Sequence, residues 1–168
     1  MGAALRSLRR FFTCTDGWAI LACLLGAGSG LLPWAAPGAG SSFEWSGDNA
    51  FGLTRWVIPN WHGVAAVAAF ALGALALAAT YRPARPAWRP LLPLAAGGAA
   101  LAAVALFFGW PGAGHVERWG DKAYPVEVSV LAGPYVALAC GAVLLVIGAL
   151  QALSLLLLRA SANPAGTA

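Results

Sequence analysis

Charge is scarce in this chain, and it is withheld unevenly. Charged residues make up 10% of the 168 positions against 60% hydrophobic residues, and the mean hydropathy is +0.74. Four stretches, Trp18 to Trp34, Gly63 to Thr80, Leu91 to Trp110 and Tyr135 to Leu158, contain no Asp, Glu, Lys or Arg. A helix without a polar face cannot meet water, so these runs exclude an ordinary soluble bundle and point to a lipid environment. Cysteine is nearly absent too. Cys14, Cys23 and Cys140 form no CxxC pair and no disulfide framework, and Cys23 and Cys140 read as small apolar packing residues. There is no HExxH, no GxSxG, no phosphate-cradling glycine loop, no EF-hand spacing and no close cluster of His, Cys, Asp and Glu. No cofactor and no metal are therefore expected. Nucleic acid is excluded as a partner on other grounds: the basic residues are scattered beside apolar runs, with no aromatic-rich groove to stack bases.

What is present is length. A hydrocarbon core of roughly 30 Å needs about 20 helical residues, and three of the four runs supply them while the first is at the short limit. The expected fold is an all-α polytopic membrane protein, a compact four-transmembrane-helix bundle. Helices are expected over 18–34, 61–80, 91–110 and 135–158, with outer segments at 35–60 and 111–134. A basic N-terminus (1–17), a short loop (81–90) and a tail (159–168) remain for the other side. Arg6, Arg9, Arg10, Arg82, Arg85, Arg89 and Arg159 fall on that second side, against Arg55, Arg118 and Lys122 on the first. The positive-inside bias thus predicts cytoplasmic termini in a plasma or inner membrane. Five acids, Glu44, Asp48, Glu117, Asp121 and Glu127, fall outside, and Asp16 alone falls inside. A small-residue site at Ala36-Pro37-Gly38 imitates a signal cleavage site, but its proline weakens the match, so the first span reads as a retained anchor.

Tryptophan marks the span ends. Trp18, Trp34, Trp61 and Trp110 are expected as interfacial anchors, with the ring in the apolar layer and the indole N–H at the headgroups. The segments between spans carry a repeated pattern. Trp34, Pro37-Gly-Ala-Gly40, Glu44, Trp45 and Gly47-Asp48-Asn-Ala50-Phe51 are echoed by Trp110, Pro111-Gly-Ala-Gly114, Glu117, Trp119 and Gly120-Asp121-Lys-Ala123-Tyr124. Pro59 precedes Gly73 by the interval that separates Pro134 from Gly148. This suggests two parallel helical-hairpin repeats. His62 and His115 do not correspond within it, which disfavours a symmetric ligand pair and leaves His62 as an interfacial residue.

Glu44, Trp45, Asp48, Trp56, Glu117, Trp119 and Asp121 form the candidate outer interaction surface. Small residues recur at helical spacing: Gly26 and Gly30; Ala65, Ala69 and Gly73; Gly133, Ala137 and Gly141; Gly148 and Ala152. These are the candidate helix-packing positions, where backbones approach closely. The sequence therefore points to a noncatalytic integral membrane interaction protein or accessory subunit, its partners the bilayer and a membrane or envelope protein. A component of a small-molecule or lipid transporter is the first alternative. A membrane enzyme using outer carboxylates is the second.

The orientation is testable in a background lacking native cysteines. Ser46→Cys and Ala123→Cys should react with an impermeant thiol reagent from outside, and Ser7→Cys, Ala84→Cys and Ser161→Cys should not. External labelling at position 84 rejects the assignment. His62→Gln, which keeps polarity without imidazole chemistry, should leave purification yield and partner recovery unchanged.

Overall fold

A computed structural model describes residues 15–37, 48–49, 61–81, 87–109, 115–119, 122–126 and 128–162, and side chains within 15–35, 61–81, 87–109 and 130–157. Among the described residues four helices dominate: α1 (Thr15–Gly28), α2 (Trp61–Ala79), α3 (Leu91–Gly109) and α4 (Ala132–Ala162). Five short strands among the described residues accompany them, so the all-α expectation gains a small β component: β1 (Pro33–Pro37), β2 (Asp48–Asn49), β3 (His115–Trp119), β4 (Lys122–Val126) and β5 (Val128–Val130). Ala and Leu favour the helical backbone, and in lipid an intact helix satisfies its own peptide groups. Pro93 and Pro134 each sit third in their helix, in the first turn where a missing N–H removes no helical bond.

The helices alternate in direction. Each packs mainly on two neighbours, in the cyclic order α1, α2, α3, α4 and back to α1. One end of the bundle carries Thr15, Thr80, Arg89 and Gln151; the other carries the sheet of β2, β1 and β5.

Three helices, over Trp61–Ala79, Leu91–Gly109 and Ala132–Leu157, are long and apolar enough to cross a membrane. The expected first span over 18–34 needs correction. Its helix covers Thr15–Gly28, about 21 Å at 1.5 Å per residue, and a 3-10 turn follows at Ser29–Leu31. Pro33 explains the early end. A residue before proline is pushed out of the helical region, and Leu32 is extended at φ −78°, ψ 154°. Counting uncharged residues passes over that break.

Packing is inverted relative to a soluble protein. The buried core is mostly alanine, including Ala19, Ala22, Ala66, Ala74, Ala96, Ala100, Ala103 and Ala137, with Phe70, Leu77, Phe107 and Leu144 filling the gaps. Large apolar residues point outward: Leu24, Leu25, Leu72, Leu75, Leu106, Val146, Leu150 and Leu153 are all exposed. That surface is an aggregation liability in water and a natural one in lipid. Exposed aromatic residues mark both ends, with Trp18, Tyr81 and Trp88 at one and Trp61 and Tyr135 at the other. From Trp61 to Tyr81 the chain rises about 30 Å, close to the hydrocarbon thickness. An integral membrane protein fits these features.

Glycine sets the closest approaches. A Cβ at Gly97 would lie 2.7 Å from the Gly141 carbonyl oxygen, so α3 and α4 meet backbone to backbone. At Gly133 it would lie 2.2 Å from the Trp34 ring. Trp34 is fully buried and cannot yield. Gly133→Ala should therefore lower stability by about 1–3 kcal/mol in reversible unfolding from bilayer-like micelles. Gly98, which has nothing within 4 Å of an added Cβ, provides the control. Gly98→Ala should be neutral or stabilising by up to about 1 kcal/mol, the helix-propensity gain. Equal effects at the two positions would contradict this packing.

Candidate functional site

The described residues form two distinctive constellations, one at each end of the bundle. At the strand end, Trp34 leaves the 3-10 turn in an extended conformation and folds back into the bundle. Its indole Nε1 donates to the Ser29 carbonyl at 2.9 Å, its ring meets Phe107 edge-on at 5.2 Å, and its carbonyl accepts from Leu131 N at 3.0 Å. Ser29 Oγ in turn donates to the Gly26 carbonyl at 2.6 Å. This corrects the anchor expectation for Trp34. Its N–H is satisfied inside the protein, and the ring plugs the space above α3 and α4. Trp18 and Trp61 lie on the exposed surface, 50% and 69% accessible, and Trp110 lies outside the described residues.

Above Trp34 the two segments between helices join. β1 is the centre of a three-stranded antiparallel sheet ordered β2-β1-β5, with Ala35 opposite both Asp48 and Val130. A strand from the first segment is thereby hydrogen-bonded to one from the second. β3 and β4 form a separate hairpin in which Glu117 faces Tyr124 and Trp119 faces Lys122 in register. Of the expected interaction surface, Asp48 is on β2 and Glu117 and Trp119 are on β3, while Glu44, Trp45, Trp56 and Asp121 lie outside the described residues. The strand pairing gives the repeat no support: Asn49 pairs with Pro33, whereas its counterpart Lys122 pairs with Trp119.

At the opposite end lies a buried polar junction. Asp16 and Arg89 are 1% and 2% exposed, with Arg89 Nη2 3.4 Å from Asp16 Oδ2. Arg89 Nη1 also donates to the Thr80 carbonyl, and Nη2 to the Leu77 carbonyl at 3.2 Å. Gln151 Nε2 donates to Asp16 Oδ1 at 2.9 Å and to Thr15 Oγ1 at 3.0 Å. The Tyr81 ring lies beneath the guanidinium at 5.6 Å. Local structure explains the placement. Asp16 sits in the first turn of α1, where the helix dipole favours an anion, and Arg89 reaches last-turn carbonyls of α2, where it favours a cation. In the sequence Arg89 stands among flanking charges and Asp16 as a lone inner acid. Their opposite signs beside span ends were the available signal, but the pairing joins residues far apart in the chain.

The helix-packing positions are distributed between interior and surface. A Cβ at Gly26 would meet Phe70 at 2.7 Å, at Gly73 would meet Ala96 at 2.7 Å, and at Gly148 would meet Leu94 at 2.6 Å. At Gly141 it would lie 2.9 Å from Leu101. Gly30 and Ala137 are buried, Ala69 and Ala152 half-buried, and Ala65 exposed. Gly97, opposite Gly141, was missed because it falls in a featureless Ala/Gly run. His62 is half-buried at the second position of α2. Among the described residues, no three His, Cys, Asp or Glu side chains are grouped to hold a metal ion. Comparison with protein-family models, curated proteins and solved structures gave no match.

Removing one partner of a buried ion pair leaves the other charge uncompensated. Asp16→Leu should therefore lower stability by about 3–5 kcal/mol, and adding Arg89→Met should recover much of that loss. The check is an unfolding comparison of the two single variants and the double variant. Additive losses would show that the pair is not coupled.

Proposed function

We propose that this chain is a noncatalytic integral membrane protein that serves as an interaction or accessory subunit of a larger membrane or envelope complex. In this reading it resides in a plasma or inner membrane with both termini in the cytoplasm, and its strand end receives the partner. The observation that carries the proposal is the β1–β5 pairing, which ties two segments far apart in sequence into one backbone-bonded layer over the bundle. A layer held this way has little ordering entropy left to lose on binding. Beneath it, the Trp34 plug and the small-residue core give that layer a rigid base.

The transport reading draws less support. A pathway between α3 and α4 would have to part the direct approach of Gly97 and Gly141. Trp34 fills the strand end over the same two helices.

A photo-crosslinking residue at position 45 or 119 should give one defined protein adduct in native membranes, and one at position 88 should not. Trp45→Ala and Trp119→Ala should each reduce recovery of that partner about tenfold or more after mild solubilisation, the scale expected of an interface anchor. Trp88→Ala should leave it unchanged. Undiminished recovery in both outer variants, or solute uptake by the purified chain in liposomes, would overturn the proposal.

A further inference from the structure

The polar junction is a chain of contacts with two loose ends. It runs from the α2 carbonyls of Leu77 and Thr80 through Arg89 to Asp16 on α1, and from Asp16 to Gln151 on α4. At one end, Arg89 Nε is a buried donor without a protein partner; at the other, Gln151 Oε1 is a buried acceptor without one. The amide orientation cannot be reversed to cure this, because turning Gln151 would set its oxygen against Asp16 Oδ1, where the nitrogen now donates at 2.9 Å. The guanidinium cannot rotate without abandoning the α2 carbonyls or the carboxylate. The two orphaned atoms are therefore consequences of bonds already made.

We infer that an ordered water molecule binds in this junction, accepting from Arg89 Nε–H and donating to Gln151 Oε1, and so closes the chain into a ring. The chemistry selects the ligand. One end requires an acceptor and the other a donor, which a hydroxyl supplies in one atom. A cation is repelled by the guanidinium and an anion by the Asp16 carboxylate. Both orphaned atoms are shut off from the surface, which favours the smallest such molecule. An unpaired polar group in this setting is costly, so the water contributes to stability as well as occupancy. It also joins Gln151 of α4 directly to Arg89, two residues that Asp16 already links.

The test uses the full chain, labelled with 15N-arginine and reconstituted into bilayers, by magic-angle-spinning NMR. The Arg89 Nε–H signal is identified by its disappearance in Arg89→Lys. It should exchange slowly with bulk solvent yet receive magnetisation from a water proton. That transfer should be lost in Gln151→Leu, and weakened in Gln151→Asn, which withdraws the amide by one methylene. No transfer in the parent protein overturns the inference, a result that needs no variant. Exchange at the bulk rate, or transfer unchanged in Gln151→Leu, would overturn it equally, the first by showing an open site and the second by removing Gln151 from it.

Discussion

A guanidinium buried between the last carbonyls of α2 and a carboxylate in the first turn of α1 is the contact on which the rest of the bundle depends. Arg89 lies just before α3, so one side chain fixes where α3 begins relative to the end of α2 and the start of α1. Gln151 brings α4 to the same point. Two helix dipoles favour the arrangement, which offsets part of the desolvation that burying a charge pair demands. Without such a meeting point, helices whose contacts are mostly methyl against methyl would have little to set their register.

Register matters because the rest of the packing is close and nearly featureless. The meeting of Gly97 with Gly141 leaves no room for a side chain, since a Cβ at Gly97 would lie 2.7 Å from the Gly141 carbonyl oxygen. At the strand end Trp34 serves a complementary purpose. Its ring bonds within its own turn and stacks edge-on with Phe107, so the chain leaves α1 in a defined direction and delivers β1 to β5. The bundle is thus held by a polar tie at one end and an aromatic plug at the other. Between them lies a core of small residues and an outer surface of large apolar ones, suited to lipid on the outside.

Much of this was legible in the sequence, and the misreadings share a cause. The charge-free runs over Gly63 to Thr80 and Leu91 to Trp110 correspond closely to α2 and α3, because length and apolarity are properties of a segment. The first run was misjudged at Pro33, a local backbone constraint that a count of charges ignores. Trp34 was read by its position at the end of that run, although the extended backbone there turns its ring inward. Asp16 and Arg89 were legible as charges but not as a pair, since nothing local links positions separated by most of two helices. The strands escaped notice for a similar reason: β1 is defined by partners at 48–49 and 128–130, not by its own Pro-Trp-Ala-Ala-Pro.

The proposed role as a docking subunit follows from this division of labour, with a rigid lipid-facing bundle supporting a β-layer at one end. It rests on the junction being formed in a bilayer. The most direct measurement is rotational-echo dephasing between 15N-labelled guanidinium and 13C-labelled carboxylate in protein reconstituted into lipid, with Asp16→Asn identifying the aspartate concerned. A nitrogen–oxygen contact of 3.4 Å requires strong dephasing of the Arg89 Nη signal that the variant abolishes. An Arg89 signal that shows no dephasing in a folded, membrane-inserted protein would contradict the account.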